Sequence, residues 1–221
     1  RGLPVVRRFC CACGRVAYGG GVMSRIAAAS ISVCCVGGMD GPLIRHFGCG
    51  YAQGVKATNP LATVIANMPG TTPAAWNDAV EGSEITKAQI NQGADVVYAA
   101  AGGTGVGVLQ TAADEGILSI GVDSNQNHLH PGKVLTSMLK RVDVAVYEAM
   151  KAGEDLEVGE VVTLGLAEEG VGVAMDEHNA ELVTEEMKAA VEEARQKIID
   201  GEIKVVSYYQ NHNRPAMDLR V

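Results

Sequence analysis

Six residues carry most of the chemistry this chain could offer a small ligand: Asp123, Lys140, Asp40, Phe47, Gly102 and Gly103. Asp123 closes the apolar run Leu118-Ser119-Ile120-Gly121-Val122. A carboxylate at a strand end accepts through two oxygens and could hold two hydroxyls of one ligand. The commoner role of an aspartate there is to cap the following turn, here Ser124-Asn125. Lys140 follows the extended apolar segment Val134 to Leu139, an unusual setting for a solvated lysine. It could donate to a ligand oxygen or nitrogen and pair with Asp123, or it could be a surface lysine at a helix start. Asp40 ends Gly37-Gly38-Met39 and could face a cleft or serve a helix N-terminus. Phe47 falls on an inward helical position, as a core residue or as an aromatic face for a flat ring.

Gly102 and Gly103 sit in the turn Ala101-Gly102-Gly103-Thr104-Gly105, where bare amides could approach a ligand or a helix could pack closely on a sheet. No Gly-Lys-Ser/Thr follows, so the turn is not a P-loop, and Val108 stands where dinucleotide spacing needs glycine. The cysteines Cys10, Cys11, Cys13, Cys34 and Cys35 lack the paired spacing of zinc sites. His128 and His130 have no evident third ligand. No nucleophile–base set or carboxylate pair stands out. The reading calls for no metal, no cofactor and no catalysis.

The elements that must position these residues alternate. Strands are predicted at Ile31–Gly37, Ala62–Ala66, Asp95–Ala100 and Leu118–Asp123, from short β-rich apolar runs. Helices are predicted from Pro42, with Ile44, Phe47, Tyr51 and Val55 inward, and from the loop around Trp76 to Gly93. Another follows Thr104, with Val106, Leu109, Ala112 and Ala113 on one side, and closes at Gly116. Such alternation predicts an α/β fold with a parallel sheet covered on both faces, whose ligands sit outside the carboxyl ends of the strands. Beyond Asp123 come a polar loop to Gly132, an extended segment, and a helix from about Arg141 to Gly153 burying Val142, Ala145, Val146 and Ala149. Strands at Val161–Leu164 and Val171–Ala174 precede a last helix, capped by Thr184, through Ile199. The end from Tyr208 has no periodicity.

With 221 residues and 47% hydrophobic content, the chain can bury a sizeable core. A net charge of −8 without a basic stripe argues against a nucleic-acid partner. No run of eighteen or so apolar residues is present to span a bilayer, and no intact signal sequence opens the chain. Residues 1–39 hold five arginines and no acid, and five of the six cysteines. From this break, residues 1–30 are expected to be an atypical, damaged or foreign remnant.

The Gly37-Gly38-Met39-Asp40-Gly41-Pro42 segment with Phe47 and Gly50-Tyr51, the Gly102–Gly105 turn, Gly121-Val122-Asp123-Ser124-Asn125-Gln126, and Pro131-Gly132-Lys133 through Arg141 together resemble the basic membrane protein family. These are substrate-binding proteins of ABC importers and include purine nucleoside receptors. The resemblance runs from about Val36 and implies a two-lobed, type I periplasmic-binding fold with the first half of the N-terminal lobe missing. It implies a C-terminal lobe at 31–123, a crossover and hinge at 124–140, part of the N-terminal lobe at 141–164, a return at 165–207 and a loose tail at 208–221. Trp76 would lie near the hinge as a structural residue. Asp123 would hold the ribose hydroxyls and Lys140 a ribose oxygen or purine nitrogen, Phe47 would stack on the purine or cover the ribose, and Asp40, Gly102 and Gly103 would face the same cleft. The expected partners are a purine nucleoside or related solute and an inner-membrane ABC permease, for a monomer in the periplasm or cell envelope, lipid-anchored in some members. Two other classes are alternatives, the first with the same two-lobed fold and the second on a doubly wound sheet. One is the ligand-sensing domain of a transcription regulator, which would need an upstream helix-turn-helix. The other is a nucleoside- or sugar-processing enzyme, which would need a metal-binding aspartate cluster or a nucleophile near the strand ends, and Asp123 alone is not enough.

Overall fold

Of five strands running in one direction, four are largely buried and the fifth is a partly exposed edge, and the candidate residues collect at the carboxyl ends and the loops that follow. The computed structural model describes residues 8–11, 13–153 and 161–208. In chain order the elements are β1 (Arg8–Cys11), α1 (Cys13–Ala27), β2 (Ser32–Gly37), α2 (Pro42–Thr58), β3 (Thr63–Asn67), α3 (Ala79–Asn91), β4 (Val96–Ala100) and α4 (Thr104–Asp114). They continue as β5 (Leu118–Asp123), β6 (Val134–Lys140), α5 (Val142–Ala152), β7 (Val161–Leu164), β8 (Val171–Val173) and α6 (Glu185–Ile199). Short 3-10 turns occupy Pro73–Trp76 and Asn127–Leu129.

Six strands form one sheet in the order β3-β2-β4-β5-β6-β8, all neighbours parallel except β6 with β8. The order turns back at β2, so β2 and β4, adjacent in space, diverge in their connections; this is the switch point at which open sheets tend to bind ligands. One face of the sheet presents Val33, Cys35, Tyr98, Ile120 and Leu135 to α1, α2 and α6. The other presents Cys34, Val36, Val97 and Ala99 to α4, where Val108, Leu109 and Ala112 are buried. Val106, expected on that helix's inner side, is 52% exposed. Burial on both faces explains why the strands read as nearly continuous apolar runs. Thr184 caps α6 as expected, accepting from Met187 N–H at 3.2 Å, and Asp78 caps α3 by accepting from Glu81 N–H at 2.9 Å.

Two expectations are corrected. The composition break before Asp40 does not mark a break in the fold, because Cys13–Ala27 is a regular helix laid against α2 and the six-stranded sheet. Ten of its residues are buried, among them Val16, Tyr18, Met23 and Ser24. A helix covered nearly all round needs no acidic face, so burial accounts for the missing charges. Its glycines let the backbones of α1 and α2 nearly touch: a Cβ on Gly21 or Gly54 would overlap the Tyr51 or Tyr18 carbonyl. The Tyr51 hydroxyl then donates to Ser24 Oγ at 2.8 Å across the crossing.

The second correction concerns α5. Of the face expected to be buried, only Ala145 is; Val142 and Val146 are more than half exposed, as are Tyr147 and Met150. The periodicity is there, but the layer it implies is not among the described residues. Strand β7 lies outside the six-stranded sheet and pairs in parallel with β1, Phe9 opposite Val162. The expected loose tail, apart from Tyr208, falls outside the described residues.

Candidate functional site at the carboxyl ends of the strands

Strands β5 and β6 are neighbours with Asp123 opposite Leu139, so the next residue, Lys140, lies beside the aspartate. Its Nζ is 2.7 Å from Asp123 Oδ1. The lysine is the more covered partner, its side chain 23% exposed against 52% for the aspartate. The ammonium also stands over the Phe47 ring, 4.8 Å from its centroid, in cation–π geometry. Phe47 itself is a core residue, 2% exposed. Its packed ring supports Lys140, and the open aromatic face considered from the sequence is absent.

Asp123 adopts φ of +68°, a left-handed conformation uncommon outside glycine and best tolerated by Asn and Asp. Ser124 N–H donates back to Val122 carbonyl at 2.9 Å, closing a three-residue turn with Asp123 at its apex. Such local strain persists where the surroundings fix it and concentrates at ligand sites. Beneath lies Tyr98 on β4, 1% exposed and stacked on Tyr51 with centroids 5.2 Å apart. Its buried hydroxyl has no hydrogen-bond partner among the described residues. Burial raises the Tyr98 pKa well above the ordinary phenol value, with nearby groups including Cys35, Cys13 and Asp123 adding to the effect.

The remaining sequence candidates have other engagements. Asp40 receives Arg45 Nε and Nη2 at 2.6 Å each, a two-pronged ion pair at the start of α2. Hydrogen bonding from Arg45 holds its carboxyl below the usual range. Gly102 takes φ of +57°, as a turn glycine should, and both it and Gly103 are exposed. Their inner sides are packed on the Trp76–Asn77 loop: a Cβ on Gly103 would come within 2.8 Å of Asn77 Oδ1. Thr104 Oγ1 ties that loop down, donating to Ala75 carbonyl and accepting from Asp78 N–H, both at 2.8 Å. Trp76 also covers Gly38, where a Cβ would overlap its ring. The switch-point crevice between β2 and β4 is therefore floored by Trp76, and the polar pair lies one strand over.

Sequence reasoning brought Asp123 and Lys140 together but missed Tyr98, and it missed the contacts behind the turn, where Val122 N–H donates to Gln126 Oε1 at 2.8 Å and Gln126 N–H to Ser137 Oγ at 2.9 Å. Gln126 could have been noticed as a polar residue just beyond a turn-forming Asp-Ser-Asn cluster; Ser137 and Tyr98 carried no such signal. No group of three or more His, Cys, Asp or Glu capable of holding a metal occurs among the described residues.

The profile of the family described as ABC transporter substrate-binding protein, PnrA-like, matches residues 15–208. The chain belongs to this family. The match begins inside α1, which places that helix within the family's shared sequence rather than outside it. A Lactococcus lactis relative named an ABC transporter nucleoside-binding protein, BmpA, is 34% identical over 211 residues, covering 86% of this chain and 57% of the relative. Basic membrane protein D of Borreliella burgdorferi is 31% identical over 199 residues, covering 86% and 56%. A solved solute-binding protein of an Aeropyrum pernix ABC transporter system superposes with a TM-score of 0.79 at 27% identity, covering 90% of this chain and 66% of that one. This PnrA-like chain thus has the type I periplasmic-binding architecture, and it spans a little over half the length of the named relatives. No helix among its described residues is long and apolar enough to cross a membrane.

Proposed function

We propose that this PnrA-like chain binds a purine nucleoside or similar ribosylated solute at the Asp123–Lys140 edge, for delivery to an ABC permease in the inner membrane. The observation that carries the reading is the ion pair itself. It places an anionic acceptor with two oxygens and a cationic donor 2.7 Å apart at the carboxyl ends of adjacent parallel strands. Asp123, about half exposed at the apex of its turn, can accept from both hydroxyls of a ribose while Lys140 donates to a sugar oxygen or ring nitrogen. Exposed backbone at Gly102 and Gly103 borders the same sheet edge. Binding rather than covalent chemistry is the expected action, with closure around the ligand favouring the form a permease recognises. The site of action is the periplasm or cell envelope. The name of the Lactococcus lactis relative supports the choice of ligand class.

Thermal unfolding with a panel of inosine, guanosine, adenosine, free purines and ribose tests this. A ligand present at a hundred times its Kd stabilises by about 2.7 kcal/mol, a rise of about 5–10 °C for a chain of this length. A cooperative transition that no nucleoside moves would overturn the proposal.

A further inference from the structure

Asp123 holds a conformation that most side chains avoid, and beyond the turn's own hydrogen bond it is held on the β6 side by pairing with Leu139 and by Lys140, so the β4 side has to be fixed in another way. Pairing of β5 with β4 ends at Ile120. Past that point the Val122 N–H, immediately before the turn, is satisfied by a side chain: Gln126 Oε1 accepts it at 2.8 Å. The glutamine can lie there only because residue 121 is glycine; a Cβ at Gly121 would come within 2.7 Å of both Gln126 Oε1 and Ser137 Oγ. Ser137, fully buried on β6 opposite Gly121, accepts the Gln126 N–H at 2.9 Å. Its own hydroxyl proton goes to Asn127 Oδ1 at 2.8 Å. Three residues on two strands and a loop thus clamp the chain on both sides of Asp123.

We infer that Gln126, seated over Gly121 and braced by Ser137, is a positioning residue that holds Asp123 in its left-handed turn and thereby sets the affinity of the site. Its effect on affinity rests on the nucleoside reading given above; its effect on Asp123 does not. The glutamine's side-chain oxygen is taken up by the Val122 amide. It fixes the backbone from which the carboxylate projects, and a loosened turn lets Asp123 relax towards the extended conformations open to most residues.

The three-bond coupling between the amide and α protons of Asp123, measured by NMR on this chain with isotopic labelling, reads φ at that residue. Gln126→Met keeps the length and removes the acceptor. It is expected to move the coupling to the extended range and to weaken inosine binding at least about fivefold in a calorimetric titration. Gln126→Glu retains an acceptor oxygen and is expected to restore the parent coupling, which a residue that merely filled space would not require. A Gln126→Met chain that keeps the parent coupling at Asp123 overturns the inference. If that variant does not fold, Ser137→Ala, which removes only the brace, is judged by the same coupling. A parent chain that binds no inosine sinks the nucleoside reading, while the coupling still decides whether Gln126 positions Asp123.

Discussion

Asp123→Asn separates the charge of the site from its shape. Asparagine tolerates φ of +68° nearly as well as aspartate, so the turn survives; alanine would confound lost charge with backbone strain. The cost to folding follows from exposure. With Asp123 52% and Lys140 23% exposed, the pair is screened by solvent, and losing it costs about 1 kcal/mol or less. For a chain of this length that lowers Tm by about 2–4 °C. The cost to binding is larger, because a hydroxyl donating to a carboxylate contributes about 1.5–3 kcal/mol. The amide keeps one acceptor oxygen, so one such bond is lost and nucleoside affinity falls about 10- to 150-fold. Thermal unfolding and calorimetric titration on the same preparation give both quantities. Affinity within about threefold of the parent would refute the role of the carboxylate. A fall in Tm of more than about 10 °C would instead make Asp123 a structural residue.

Other perturbations probe the scaffold. Gly54→Ala sets a Cβ against the Tyr18 carbonyl and is expected to cost about 1–3 kcal/mol in urea unfolding. Gly19→Ala, whose Cβ would meet only Val191 and Val173 methyls at ordinary distance, should be neutral or stabilising by about 0.5–1 kcal/mol; equal losses at both positions would contradict the tight α1–α2 crossing. His46 accepts the Gly14 N–H through Nε2 at 3.2 Å, and burial depresses its pKa. The unfolded chain therefore takes up the proton first. Stability contributed by neutral His46 is full above about pH 6.5 and falls as pH drops below it. Thermal midpoints should decline more steeply on acidification for the parent than for His46→Gln; matching slopes would dismiss the coupling. On α5, Met150→Lys is expected to change unfolding free energy by no more than about 0.5 kcal/mol, since that side chain is 77% exposed, and a larger loss would show that the face is covered in solution.

The sheet was legible because its central strands are buried on both faces and its helices begin at recognisable signals such as Pro42 and Thr184. Asp123 and Lys140 were legible for a related reason: a polar residue ending an apolar run is conspicuous, and parallel register brings neighbouring strand ends together. Other features depended on information no linear pattern holds. The glycine-rich, acid-free stretch before Asp40 looked foreign because composition cannot distinguish a defective segment from a helix enclosed on nearly every side. The apolar stripe of α5 promised burial that depends on a partner layer, not on the helix itself. Asp40 and Phe47 had suitable types for ligand contact, but Arg45 claimed the carboxylate and Lys140 the ring. Gln126 acts through a backbone amide, a role for which many polar side chains would have looked equally suited.

Trp76 has a further consequence. It is the chain's one tryptophan, and it lies half-buried against Gly38 and Gly102, at the floor of the crevice between β2 and β4. Indole emission shifts with the polarity and rigidity of its surroundings, so this ring is a built-in optical reporter placed beside the strand ends. Selective excitation of Trp76 follows events at that edge without any attached dye, and its quenching by small solutes reads how far the crevice opens as conditions change.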